Sequence, residues 1–138
     1  MGNPLIYVSI KCKVDAVFDS KYKTAVYEAM KKKVGEVMAK NGSTFTLDKT
    51  KGTNPVQYEL NVSLKVTKDD KSKPPKIIAN VDVKGTAFTT SGPKYFKGNG
   101  SAYSDRLNPN KLDRDAAQVT SDAVEEVMTR QIVPAMTP

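Results

Sequence analysis

The sequence predicts an α+β two-layer sandwich, an antiparallel sheet of four to five strands with two helices on one face, in the order β-α-β-β-β-β-α. Three observations carry this. From Tyr58 to Val66 the apolar residues Tyr58, Leu60, Val62, Leu64 and Val66 fall on every even position and polar ones on every odd position, which places one set on each face of a strand. Ile77 to Thr89 repeats the pattern with Ile77, Ala79, Val81, Val83 and Ala87 inward. Two stretches with apolar residues three and four apart lie before and after the strands. One half-wet sheet and two amphipathic helices bury each other most simply as two layers, the helices covering the face of Val8, Leu60 and Val81.

The first strand spans about Leu5 to Val17, with Ile6, Val8, Ile10, Cys12, Val14 and Ala16 inward, and its length invites a bulge. Asp19 or Ser20 then caps a helix in which Tyr22, Val26, Met30, Val34, Val37 and Met38 share a side. On its outer side Glu28 and Glu36 precede Lys32 and Lys40 at the favourable four-residue spacing. Asn41-Gly42 ends this helix, the glycine suiting a left-handed cap. Ser43 to Asp48 offers a short strand with Phe45 and Leu47 inward, and Lys49 to Pro55 is turn chemistry. The polar run Lys68 to Pro75 joins the two central strands as a long hairpin loop, and Ser91-Gly92-Pro93 makes the next turn. Tyr95 to Tyr103 alternates more weakly. Phe96, Gly98, Gly100 and Ala102 share one phase, and the two glycines mark a bulged or edge strand. After a polar loop from Ser104 to Leu112, Asp113 caps a second helix whose stripe is Ala116, Val119, Ala123, Val124, Val127, Met128, Gln131 and Ile132, ended by Pro134.

A chain of 138 residues with 38% hydrophobic and 27% charged composition is sized for a single α+β domain over residues 1–138, closing its core without staples. Its apolar runs fall well short of the roughly 18 residues of a membrane-spanning helix. Met1-Gly2-Asn3-Pro4 leads directly into the first strand without a secretory pattern, which places the protein in the cytoplasm or after a removed signal. Ile6 stands where a myristoylation motif at Gly2 requires Ser or Thr.

Histidine is absent and Cys12 is the only cysteine. This excludes an internal disulfide, Ser-His-Asp and Cys-His machinery, and imidazole-ligated or multi-cysteine metal sites. Asp69-Asp70 lies in a polar loop and Glu125-Glu126 on a wet helix face, where nothing tunes a carboxyl group for acid-base work. Asp113, Asp115 and Asp122 lack calcium-loop spacing, and Gly98-Asn99-Gly100-Ser101 has no helix behind it to hold a phosphate. The expectation is a non-enzymatic protein without cofactor or metal.

The net charge is +7, with +9 in residues 1–100 and −2 in residues 101–138. Such a field favours anionic partners. On the phases above, Lys11, Lys13, Lys65 and Lys84 share the open sheet face with Asn61, Asn80, Tyr7, Ser63 and Thr86. Ammonium groups among amides and hydroxyls there suit an anionic ligand such as a lipid head group, a glycan or a nucleic acid. The same lysines, with Glu59 and Asp82 between them, equally serve to keep a sheet face wet and discourage edge pairing. A nucleic-acid platform stacks bases on aromatic residues, and the central strands supply only Phe88.

The element order, Val56-Gln57-Tyr58-Glu59-Leu60-Asn61-Val62 opening the central hairpin, Gly98-Asn99-Gly100-Ser101-Ala102 in the last strand, and the closing Ala/Val helix resemble small bacterial envelope lipoproteins. The lipopolysaccharide-assembly lipoprotein and related accessory lipoproteins are of this kind. Members carry a signal and a lipidated cysteine near the start, whereas Cys12 falls inside a strand. The resemblance implies a periplasmic or outer-membrane-associated accessory or binding domain, a monomer or weak oligomer, whose partner is an anionic envelope ligand or an envelope protein. The alternative is a cytosolic, basic nucleic-acid-binding module.

In phase with Ile6, Val8, Ile10 and Val14, Cys12 is expected to be a buried thiol that reacts only as fast as the fold opens. Cys12→Ala or Cys12→Val should change stability by about 1–2 kcal/mol at most, while Cys12→Asp should cost far more through an uncompensated charge. Urea unfolding of the three variants checks both.

Overall fold

Alternation in the two central strands decides where the helix layer sits. In the computed structural model, which describes residues 4–136, the order is β1 (Ile6–Val17), α1 (Lys23–Lys40), β2 (Phe45–Thr46), β3 (Gln57–Asp69), β4 (Lys76–Thr89), β5 (Gly92–Ser104), α2 (Leu112–Val127) and α3 (Val133–Met136). The readings made on Met1, Gly2 and Asn3 lie outside the described residues. The architecture is the expected two-layer α+β sandwich. Leu60, Val62, Leu64 and Val66 of β3 pair with Gly85, Val83, Val81 and Ala79 of β4 on the buried face. Val26, Met30 and Val34 of α1 and Val119, Ala123 and Val127 of α2 close over them in one contiguous core.

The sheet order is β2-β1-β3-β4-β5, and the sheet is mixed rather than antiparallel. β1 runs parallel to both β2 and β3, while β3, β4 and β5 are antiparallel neighbours. The reason is α1: a helix that crosses the sheet returns the chain to the end where β1 began, so the strands after it enter in the same direction. Hairpins reverse the chain only later. Gly92 has φ +110° in the β4–β5 turn, the left-handed region that favours glycine.

Several local expectations change. The register of β1 shifts between Val14 and Ala16, so the bulge turns Ala16 outward and brings Val17 opposite Val66. β2 stops at Thr46 because Asp48 folds the next turn, its Oδ1 accepting from the Thr50 N–H at 3.0 Å and hydroxyl at 2.7 Å. Leu47 is therefore 49% exposed instead of inward. Asp19 caps a short 3-10 turn at Ser20–Tyr22 before α1. Gly42 takes no left-handed conformation; the Asn41 side chain donates to the Val37 carbonyl at 2.8 Å and the Gly42 N–H to Ala39 at 3.1 Å, satisfying the helix end directly. Asp113 lies in the first turn of α2 rather than capping it, and Lys111 takes the cap position.

The outer face of α1 pairs differently from its spacing. Glu36 meets Lys33 at 2.9 Å, and Glu125 of α2 lies 3.8 Å from Lys33 and 3.9 Å from Lys40, so the bridges tie helix to helix. Their hydrogen bond raises the pKa of Lys33 and lowers that of Glu36. Pro134 does not end the second helix. A π turn at Met128–Ile132 runs without a break into α3, the Val133 N–H donating to the Met128 carbonyl, and the helix continues through the proline although it has no N–H to donate.

That π turn aims Gln131 at the edge strand β5. The Asn99 N–H donates to Gln131 Oε1 at 3.0 Å and Gln131 Nε2 donates to the Asn99 carbonyl at 2.7 Å, so one side-chain amide stands in for a neighbouring strand. β5 runs through thirteen residues without a register shift. Its glycines admit the helix layer: a Cβ at Gly98 would lie 2.9 Å from Gln131 Oε1, and one at Gly100 2.9 Å from Val127 Cγ2.

Cys12 does lie on the helix side with Ile10 and Val14, but half-buried, because β1 is the outermost strand beyond the two residues of β2. The expected full shielding of its thiol does not hold. Burial still raises its pKa, with Lys31 opposing.

Aromatic rings lock the wide end of the core. Tyr58 meets Phe45 and Phe96 edge-on at centroid distances of 6.2 and 5.9 Å, and its hydroxyl donates to the Met136 carbonyl at 2.9 Å. Burial raises its pKa. The Phe96 ring occupies the space a side chain at Gly85 would need. Gly85→Ala should therefore cost about 1–3 kcal/mol by displacing that ring. Gly35→Ala, in α1 where an added Cβ meets no atom within 4 Å, should instead stabilise by about 0.5–1 kcal/mol. Urea denaturation of the two variants reads both signs.

Candidate functional site

The open face of the sheet is assembled by strand register alone. Lys11 of β1 lies beside Asn61 of β3, Asn61 beside Lys84 of β4, and Lys84 beside Lys97 of β5. At about 4.8 Å between strands, this row spans roughly 14 Å. The next row is Lys13, Ser63, Asp82 and Asn99, and beyond the bulge come Ala16, Lys65, Asn80 and Ser101. Every expected residue of the site, Lys11, Lys13, Lys65, Lys84, Asn61 and Asn80, is exposed on this one face.

Most of these groups have no partner inside the molecule. Lys13 lies 3.3 Å from Asp15, whereas Lys11, Lys65, Lys84 and Lys97 form no ion pair among the described residues. The side-chain amides of Asn61 and Asn80 likewise make no hydrogen bond there. Lys84 and Lys97 carry like charges at directly opposed positions. Because Asn99 turns its backbone groups outward to Gln131, the Asp82–Asn99 and Lys84–Lys97 pairs are of the closer, non-hydrogen-bonded kind. Such a pair costs the fold energy.

Two shallow hollows lie on this face. One, about 510 Å³, is lined by Asn61, Lys84, Thr86, Tyr95 and Lys97, and the other, about 730 Å³, by Asp15, Lys65, Asn80, Asp82, Asn99 and Ser101. Sequence reasoning missed Lys97, Tyr95 and Tyr103. The two tyrosines are 78% and 66% exposed, and Phe88 is 46% exposed. Their shared odd-numbered phase was a sufficient signal, but Gly98 and Gly100 weakened the strand that would have placed it on the open face.

Several carboxylates elsewhere are engaged structurally. Asp69 accepts from the Lys71 and Ser72 N–H groups, Asp70 meets Lys68 at 2.9 Å, and Glu126 meets Arg130 at 3.3 Å. Asp115 accepts from the Asn108 N–H and Asp122 from the Gln118 side chain. The pKa of Asp48 is lowered, chiefly by the Thr50 hydroxyl. Among the described residues no helix is long and apolar enough to cross a membrane.

No protein-family model matches the chain, and no curated protein matches it. Solved structures do. The hypothetical protein CT253 from Chlamydia trachomatis is similar at 10% identity and a TM-score of 0.61, over 97% of this chain and 99% of that one. The PelC dodecamer from Paraburkholderia phytofirmans is similar at 10% identity and a TM-score of 0.52, over 93% and 87%. A minor lipoprotein from Acinetobacter baumannii reaches 0.46 at 9% identity, over 91% and 90%. The first two establish a shared fold along nearly the whole length.

Because Lys84 and Lys97 make no ion pair among the described residues, removing their charge should not weaken the fold. Lys84→Gln and Lys97→Gln, singly or together, should leave urea stability within about 0.5 kcal/mol of the parent or raise it. A loss well above 1 kcal/mol would show that the row serves the fold instead.

Proposed function

We propose that the protein is a non-enzymatic accessory domain of the bacterial cell envelope, periplasmic or outer-membrane-associated, that binds an anionic ligand on its open sheet face. The observation that carries this is the row Lys11, Asn61, Lys84 and Lys97, which holds unpaired ammonium groups and a free amide across four strands, two of the lysines directly opposed. A stability cost at an exposed position is explained if a ligand's negative charge relieves it. Tyr95 beside Lys84 and Lys97 adds a flat apolar surface, so the site suits an extended anion with both polar and planar parts, such as a lipid head group or an acidic glycan. The envelope assignment draws on the resemblance to small envelope lipoproteins, with which the shared fold of PelC agrees.

A second reading has its own observation. Tyr95, Tyr103 and Phe88 all project from the charged face, the arrangement on which single-stranded nucleic acid stacks its bases. It corresponds to a cytosolic nucleic-acid-binding module.

The chain has six tyrosines and no tryptophan, and Tyr95 and Tyr103 stand on this face, so the change in tyrosine emission that is lost when both are replaced by Phe reports on it. Titration with phosphatidylglycerol-containing vesicles, an oligogalacturonate and a thymidine oligonucleotide, each at low and high salt, separates the readings. At least one anionic probe should bind and weaken as salt rises, and Lys84→Glu with Lys97→Glu should weaken it tenfold or more. Vesicle or glycan binding supports the envelope reading. Binding of the oligonucleotide alone, lost about tenfold in Tyr95→Ala, replaces it with the nucleic-acid reading. Absence of binding at low salt, or indifference to the charge reversals, ends both.

A further inference from the structure

The two outer strands treat their free edges differently. β5 has its Asn99 backbone groups taken by Gln131, whereas β1 is covered only at Ile6 and Tyr7, where β2 pairs with it. The direction of its remaining groups follows from two bonds. The Ile6 N–H donates to the Thr44 carbonyl at 2.9 Å, on the β2 side, and the Leu5 carbonyl accepts from Asn54 at 3.1 Å, on the side that leads into β3. Even-numbered residues of β1 therefore turn their N–H and C=O groups away from β3. Ile10, Cys12 and Val14 present them outward, and no backbone bond from the described residues reaches them, whereas the Val8 N–H is taken by the Thr46 carbonyl in the β2 ladder. Backbone groups in this state need water or a partner strand.

Apolar side chains flank this edge. Ile10, Cys12 and Val14 are only half-buried on the helix side. Lys31 of α1 acts electrostatically on the Cys12 thiol and lies 5.6 Å from the centroid of the Tyr27 ring. On the other side of the strand Lys11 and Lys13 are exposed. A strand added here would place alternate side chains against apolar Ile10, Cys12 and Val14 and the others among lysines.

We propose that the outer edge of β1 from Ile10 to Val14 is a docking site for an extended segment of a partner protein with alternating apolar and acidic residues, bound by strand addition to β1. Charge decides the occupant. A second copy pairing antiparallel about Cys12 would set Lys11 of one copy against Lys13 of the other, like charges directly opposed. An acidic segment meets three lysines instead. Lys11 also stands in the open-face row, but the edge lies outside the open-face hollows, so Ile10→Pro, which leaves every open-face lysine in place, tests this proposal apart from the ligand reading.

Amide hydrogen exchange on the whole chain, with a capped nonapeptide of alternating Glu and Val as probe, tests this. In the free protein the Ile10, Cys12 and Val14 amides should exchange faster than those of Ser9, Lys11 and Lys13, which point to β3. Saturating peptide should slow the three at least tenfold, and a Lys/Val peptide should not. Ile10→Pro removes an outward N–H and no bond to β3, so binding should fall tenfold or more while the Lys11 and Lys13 amides stay protected. Lys11→Glu with Lys13→Glu, which tests the same edge without altering the backbone, should weaken the Glu/Val peptide and admit the Lys/Val one. The proposal is overturned if the three amides are already protected in the monomer, if protection appears with protein concentration alone, or if the Glu/Val peptide fails to bind or binds without protecting them.

Discussion

The register between β3 and β4 is the constraint on which the rest depends. A slip of one residue would carry Leu60, Val62, Leu64 and Val66 from the core to the open face and bring Asn61, Ser63 and Lys65 under the helices. Each large apolar side chain exposed costs about 1.5–3 kcal/mol, so a slip of this one strand would consume the few kcal/mol that separate a folded from an unfolded domain. With that register held, β5 has one alignment that puts its glycines under α2, and β1 has one that puts Ile10 and Cys12 beside Leu60 and Val62. The open face inherits its order from the same lock, since Asn61 and Lys84 are neighbours only while Leu60 and Val83 are buried.

Covering one face leaves two problems, the other face and the edges. The open face is met by polar side chains, but more lysine stands there than the carboxylates beside it balance, with Lys84 and Lys97 opposed without an intervening acid. The edges are met unequally. At β5 the π turn rotates Gln131 into line with the strand, a local irregularity that replaces a missing ladder contact. At β1 the crossover through α1 brings back only a two-residue strand before Asp48 turns the chain away. The half-exposure of Cys12 and the free backbone groups of Ile10 and Val14 are both consequences of that early turn.

Electrostatics divides the molecule in the same way. The acidic residues of α2 reach α1 through Glu125 with Lys33 and Lys40, on a side of the helix layer turned from the sheet. Exposed pairs of this kind contribute about 0–1 kcal/mol each and fix the helices' approach more than they stabilise it. Lys11, Lys65, Lys84 and Lys97 of the sheet have no such partner among the described residues, so the positive field points outward from the open face.

Local pattern alone determined the number and type of the main elements, the buried face of each strand and the placement of Lys11, Lys13, Lys65, Lys84, Asn61 and Asn80 on a common side. Period two and period 3.6 are properties of neighbouring residues, and burial rewards them directly. It also determined the chemistry that the absence of histidine and a second cysteine excludes. Only tertiary structure decided that β1 runs parallel to β3, because chain direction depends on how α1 crosses the sheet. The same holds for the full strand β5, whose glycines look like interruptions until Gln131 and Val127 occupy the space above them. Lys97 and Tyr95 joined the open face for that reason. The free edge of β1 and the guarded edge of β5 were likewise invisible in the sequence, since an edge is defined by which strand is missing beside it.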